Sequence, residues 1–306
     1  MKDLDSPSSP AVDANSQPLT LMLLLMAFTM VFFWGYSFIS TKQLLLIDLA
    51  PAQIYIIRFI IAYLVLAVLT RHEYRWLGLK TEMHFLLCGL MGGPLYFLTE
   101  NYALKYTLVS NVGLLTSTTP LTTALLLCLM VRTERLHWPL VVGSLVALAG
   151  VAAVMYNSGQ EFQFSFLGDT LALLASLSWA IYAILQRGLL QRYSALVLTR
   201  KVFFWGVVFT IPFACAEEFP MEALCLPQFY LHIGILSLCC SLQAFLLWGH
   251  LVSKIGVIRA SNFIYINPIV TLVCSVLILD ETLTLIGLIG CVLILAGVIF
   301  AEKMKR

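Results

Sequence analysis

Two ionisable residues stand where the chain has almost no other polar character. Arg58 interrupts the apolar run Ile54-Tyr55-Ile56-Ile57-Arg58-Phe59, and Glu100 with Asn101 closes the run that begins at Pro94. A charged side chain inside a membrane helix costs from about 2.5–3.5 kcal/mol on insertion scales upward, so it normally faces a partner or a cavity. At roughly 1.5 Å per residue, Arg58 lies about 9 Å and Glu100 about 4–5 Å below one membrane face, a difference an arginine spans. The spacing predicts an ion pair at the outer mouth, with Asn111 at a similar level. Two roles remain open for it. It is either a tie between helices or a gate that opens when a substrate carboxylate or a proton takes one partner away.

The other candidate residues are uncharged. Trp34, Tyr36, Tyr96, Asn101, Tyr102, Asn111, Thr116, Trp179, Tyr182, Gln243, Trp248, Asn262, Tyr265 and Asn267 thread the apolar segments, too many to be interfacial anchors. Polar groups in lipid seek partners, so each either bridges helices or lines a pocket. Taken together they predict an aromatic-lined, mostly uncharged binding pocket. Trp34, Tyr36, Trp179, Tyr182 and Tyr265 are expected to share it. Pro120 and Pro268 each remove a helical hydrogen bond, which leaves a plain kink or a hinge. Gly93 and Pro94, in Gly92-Gly93-Pro94, break a third segment with no glycine or proline at its echo, Leu238-Cys239-Cys240, and so predict a local functional bend.

Enzymatic chemistry finds few residues. There is no Walker A sequence, Gly-x-Ser-x-Gly or His-Glu-x-x-His. Asp169 and Asp280 are the nearest approach to an aspartyl pair, and both fall at helix ends. The eight cysteines form no Cys-x-x-Cys and have no histidine at metal spacing, so no metal and no cofactor is expected. Cys215 and Cys225 flank one loop and could pair in an oxidising compartment.

The elements that must position these residues follow from composition. Hydrophobic residues make up 60% of the 306 and charged ones 11%, against about 45–50% and roughly 25% in soluble domains. Crossing hydrocarbon takes about 20 apolar residues as a helix, which predicts ten spans: 19–40, 52–70, 83–103, 108–131, 137–156, 169–188, 199–216, 227–252, 257–279 and 283–301. The seventh is short of apolar length unless Arg200 and Lys201 snorkel to the interface. With the N-terminus inside, fifteen Lys and Arg fall on the inner side and only Lys42 and Lys105 outside. This positive-inside bias places both termini in the cytoplasm. Residues 1–18, polar and rich in Ser, Pro and Asp, are expected to form a disordered tail.

The chain also repeats itself. Pro120, Glu134, Gly143 and Gly150 return as Pro268, Glu281, Gly290 and Gly297, and the intervals 281 − 134, 290 − 143 and 297 − 150 all equal 147. The prolines differ by 148. Two units are therefore expected, 19–156 and 157–306, each of five helices. An odd number inverts the second unit, an architecture that places the site near the midplane between repeats. The glycines, two turns apart, mark close helix packing between repeats or between protomers of a homodimer. Glu134 and Glu281 open helices, where a carboxylate complements the helix dipole.

These landmarks resemble the EamA-domain branch of the drug/metabolite transporter superfamily. Trp34-Gly35, Arg58, Ala103-Leu-Lys-Tyr-Thr107, Pro120, Glu134, Gly143 and Gly150 carry the likeness in the first half. Trp179, Pro268, Glu281, Gly290 and Gly297 carry it in the second, with Arg200 a looser counterpart of Arg58. The resemblance covers about residues 19–301. It implies an all-α polytopic protein of the bacterial inner membrane that moves small metabolites, such as amino acids or amphipathic compounds, by alternating access. The expected function is a secondary carrier, with export as the expected direction, driven by a substrate gradient or protons, with lipid and solute as its partners and no nucleic acid. An intramembrane enzyme and a non-transporting receptor or assembly factor are the alternatives.

Overall fold

In hydrocarbon every backbone N–H and C=O must find its partner within the protein, and helices provide one inside each segment. The computed structural model describes residues 19–73, 76–107, 109–130, 137–157, 165–278 and 283–303, and among these only helices and turns occur. In chain order they are α1 (Leu21–Leu45), α2 (Pro51–Leu69) and α3 (Leu79–Leu90), the last running through a π turn at Met91–Leu95 into α4 (Tyr96–Tyr106). Then come α5 (Val109–Thr116), α6 (Thr119–Met130), α7 (Trp138–Asn157), α8 (Phe166–Leu190) and α9 (Ala195–Cys215). A 3₁₀ turn at Met221–Cys225 leads to α10 (Pro227–Gly234), a π stretch at Ile235–Gln243 and α11 (Ala244–Ile255). The chain closes with α12 (Val257–Asn262), a 3₁₀ turn at Phe263–Ile266, α13 (Asn267–Ile278) and α14 (Leu285–Lys303).

Among the described residues seven helical segments are long and apolar enough to cross a membrane, and two shorter apolar ones, Trp138–Val154 and Leu285–Ala301, accompany them. Large apolar side chains such as Phe28, Phe32, Leu129 and Leu277 point outward, as they do when lipid is the solvent. The chain is a multi-pass membrane protein.

The repeated glycines meet each other. A Cβ added at Gly143 would lie 2.6 Å from the Gly297 carbonyl oxygen, and one at Gly150 2.6 Å from that of Gly290. Only glycine lets α7 and α14 come this close. The first glycine of one helix meets the second of the other, so the two helices run antiparallel. α2 and α9 show the same exchange. Gln53 Nε2 donates to the carbonyls of Glu217 (3.1 Å) and Glu218 (3.0 Å), while Arg200 donates to the carbonyl of Thr70 (3.1 Å). The interval of 147 residues links Gln53 to Arg200 and Thr70 to Glu217, so each bond is the other's echo.

Several expectations need correction. Arg200 and Lys201 do not snorkel: α9 begins at Ala195, which carries both inward, to 8% and 3% exposure. The helix break at Gly93 does have an echo. The π stretch Ile235–Gln243 covers the corresponding positions without glycine or proline, because a π turn is a register change that any residue tolerates. Gly93 itself has non-helical backbone (φ −112°, ψ −114°). Pro120 and Pro268 sit second in α6 and α13, after the breaks rather than inside a continuous helix. There their missing N–H costs nothing. Thr116, Thr118 and Thr119 hydroxyls donate to the carbonyls of Val112, Leu115 and Thr116 around the first break. Glu134, Glu281 and Asp280 lie outside the described residues.

Candidate functional site

α1, α2, α4, α8 and α11 surround a dense aromatic group. The rings of Trp34, Trp179 and Trp248 lie 5.2–5.8 Å apart, edge-on or tilted, and Phe245 joins them at 5.8 Å from Trp179. Tyr182 stands 5.2 Å and Tyr96 5.0 Å from Trp179. Phe59 and Phe97, 5.3 Å apart, continue the group toward Arg58. The helix irregularities set its shape. The Cys240 carbonyl, in the π stretch, accepts the Trp34 indole N–H at 3.2 Å, and the Met91 carbonyl, at the first π turn, accepts the Ser178 hydroxyl at 2.8 Å. Gly92 lets the Tyr182 ring within 2.6 Å of where a Cβ would be.

Arg58 and Glu100 are 4% and 5% exposed, yet the expected ion pair between them is not formed. Arg58 Nε donates to Ser241 Oγ at 2.8 Å, and its guanidinium lies over Phe59 (5.0 Å) and Phe97 (5.2 Å). Glu100 Oε1 accepts the Tyr96 hydroxyl at 2.8 Å. The two charges remain close enough to interact through space. The physical reason is the π stretch. It carries Ser241, which takes the Nε donor of Arg58, while the Phe59 and Phe97 rings cover the faces of the guanidinium.

The other expected site residues scatter. Tyr36 turns away from Trp34 and stacks on the exposed Phe32 at 6.5 Å, since residues two apart on a helix face opposite sides. Tyr265 is buried, but among Ala147, Val151, Val154, Leu272 and Ile294 of α7, α13 and α14. Gln243 is exposed, in an outward groove with Leu21, Met22, Leu25, Met26, Thr29 and Leu247. Asn101 is half-buried. Asn262 is 3% exposed on α12, where its Oδ1 accepts no hydrogen bond. Asn111 lies in α5, and its side chain falls outside the described ones. Asp169 is occupied as a helix cap, accepting from the Thr107 hydroxyl (2.8 Å) and the Ser165 N–H (3.0 Å). Cys215 and Cys225 are both free thiols.

Other participants escape a reading of sequence alone: Ser241, Phe59, Phe97 and Phe245, which look like ordinary membrane filler. On α8, four residues past Tyr182, Gln186 is fully buried with neither end of its amide hydrogen-bonded. The indole N–H groups of Trp179 and Trp248 likewise donate to nothing. Buried polar groups are nearly always paired, so these donors suit a solute with acceptor atoms. No group of three His, Cys, Asp or Glu among the described residues could hold a metal.

The family model for EamA-like transporters matches residues 21–156 and again 166–302. An uncharacterized transporter of Archaeoglobus fulgidus is 27% identical, with 90% of this chain and 95% of that protein aligned. A probable terminal-alkyne amino-acid exporter of Streptantibioticus cattleyicolor is 26% identical over 71% of this chain and 72% of its own. A solved crystal structure with 19% sequence identity superposes at a TM-score of 0.75, covering 93% of this chain and 99% of the other, which speaks to the fold alone.

Proposed function

Since the chain belongs to the EamA-like transporter family, we propose that it is a secondary carrier exporting an amino acid or a similar small carboxylate with an apolar or aromatic side chain, by alternating access. The observation that carries this reading is Arg58, a buried cation held by only one hydroxyl and two aromatic faces. Arginine offers five N–H donors, so Arg58 keeps donors for a carboxylate. Glu100, a short way off behind Tyr96, suits the ammonium of the same solute. The tryptophan group takes its apolar part, and the Trp179 and Trp248 N–H groups supply further donors. The amino-acid exporter among the relatives supports the same class.

The architecture that goes with this proposal is ten helices in two inverted repeats, termini in the cytoplasm of a bacterial inner-membrane protein. The crossed glycine pairs and the exchanged Gln53 and Arg200 bonds support the inversion. The glycine faces join the two halves of one chain, which leaves a homodimer without that contact. Transport then exchanges which end of the space between repeats is open. A proton on Glu100 is the proposed coupling step, since it would weaken the hold on an ammonium. An untargeted comparison of medium and cell extract, with and without overexpression, tests the reading. It predicts that one or a few amino acids accumulate in the medium, and unchanged extracellular amino acids would count against it.

A further inference from the structure

α2 and α9 hold the two halves together at both ends, but the ends are built differently. At one, Gln53 ties α2 to the C-terminal end of α9, and Ile54 shares a buried apolar cluster with Phe229. The interval of 147 residues converts Gln53 to Arg200, Ile54 to Lys201 and Phe229 back to Glu82. At the second end, accordingly, Arg200 donates to the carbonyl (3.1 Å) and hydroxyl (3.0 Å) of Thr70. Lys201 there forms an ion pair with Glu82, whose Oε1 also accepts the Leu77 N–H at 3.2 Å. Both side chains of the pair are buried, 4% and 5% exposed. The Lys201 ammonium lies 5.5 Å from the Phe85 ring and the Arg200 guanidinium 5.7 Å from that of Tyr63. An apolar contact in one repeat has become a charged one in its mirror position.

Stability does not require this. Ile54 and Phe229 show that apolar side chains close the equivalent space, and a buried ion pair gains little because desolvation offsets its attraction. What charge changes is the cost of parting. When the charged end opens, both ions regain water, whereas parting Ile54 from Phe229 exposes apolar surface. We propose that Lys201–Glu82, braced by Arg200–Thr70, is a releasable latch that shuts one end of the path, while Gln53, Ile54 and Phe229 seal the other. It rests on the alternating-access reading above, in whose orientation the latch is the cytoplasmic end.

Cys88, fully buried on α3 beyond Glu82, is the reporter, in a full-length chain whose seven other cysteines are replaced. Purified in lipid nanodiscs without solute, it is reacted with a small water-soluble maleimide. Glu82→Gln removes the carboxylate that pairs with Lys201 in the shut form, while water hydrates the ammonium in the open one. Labelling of folded protein should rise at least about threefold, the equivalent of about 0.65 kcal/mol of bias toward the open form. Replacing both partners, Glu82→Met with Lys201→Met, copies the apolar seal, so labelling should fall below the unsubstituted rate while the melting temperature holds. If the single variant does not fold, the double one decides. Labelling at the unsubstituted rate in the folded variants would overturn the latch and leave a structural tie. Because no solute enters this assay, a latch that responds in a chain that carries nothing would refute the carrier reading alone, and active transport with unmoved labelling would refute only the latch.

Discussion

Arg58 illustrates how far single residues can be read. A lone cation in an apolar run had to be buried and partnered, and it is. Its partner was not legible, because Ser241 reaches it only through a π stretch that carries no glycine or proline to betray it. Trp34, Trp179 and Tyr182 were expected in one group with Tyr36 and Tyr265, and the Trp34 and Trp179 rings lie 5.2 Å apart. Tyr36 and Tyr265 were misplaced for reasons of phase: the first is half a turn from Trp34, and the 3₁₀ turn at Phe263–Ile266 rotates the second toward α7. Lys201 and Glu82 were hidden among charges that any inner helix end would show. Two substitutions follow from the site. Arg58→Lys keeps the charge but loses the planar face that stacks on Phe59 and Phe97. It should fold and bind solute roughly tenfold or more weakly, a change on the order of 1.4 kcal/mol, measured by isothermal titration in detergent. Glu100→Gln keeps the Tyr96 hydrogen bond and removes the charge. If Glu100 carries the coupling proton, transport in this variant loses its pH dependence while the melting temperature stays close to the parent's. Retained pH dependence would assign coupling elsewhere.

At the scale of elements, the interval of 147 residues was the informative signal, and it rested on two glycine pairs and one glutamate pair. It foresaw that α7 and α14 pack closely, though not whether within one chain or between two. Contacts settle that as α7 against α14 of the same chain. The π turns were half legible: Gly92-Gly93-Pro94 announces one, and nothing announces the other. Gly150→Leu must insert a side chain where even a Cβ meets the Gly290 carbonyl at 2.6 Å and the Ile294 N at 2.6 Å. Overpacking of this kind costs typically about 1–3 kcal/mol, and the melting temperature should drop by several degrees. Gly188→Ala is the matched control. Nothing lies within 4 Å of its added Cβ, so stability should hold or rise by up to about 1 kcal/mol, the helix-propensity gain. Equal losses at both positions would mean that the α7–α14 contact contributes nothing special.

For the whole molecule, composition carried most of the reading, a membrane protein of many helices, and the charge bias supplies the expected orientation. Reporter fusions after Arg135 and Arg306 should read cytoplasmic and one after Gln160 external, and a cytoplasmic signal at Gln160 would end the inverted arrangement. What a sequence of this kind does not encode locally is the meeting of Arg58, Glu100 and the tryptophans, which come from segments up to 214 positions apart in the chain (248 − 34). Their meeting is the basis for the central claim, that Arg58 recognises a solute carboxylate inside an aromatic group between the repeats. Counterflow measures it most directly. Proteoliposomes are loaded with an unlabelled amino-acid mixture and offered labelled amino acids outside. At least one label should enter against its concentration gradient. Its free carboxylate should be required, so that the matching decarboxylated amine does not compete, and Arg58→Gln should lower uptake roughly 30-fold, the equivalent of about 2 kcal/mol. If the amine competes as well as the amino acid, or if folded Arg58→Gln protein transports at the parent rate, the claim is contradicted.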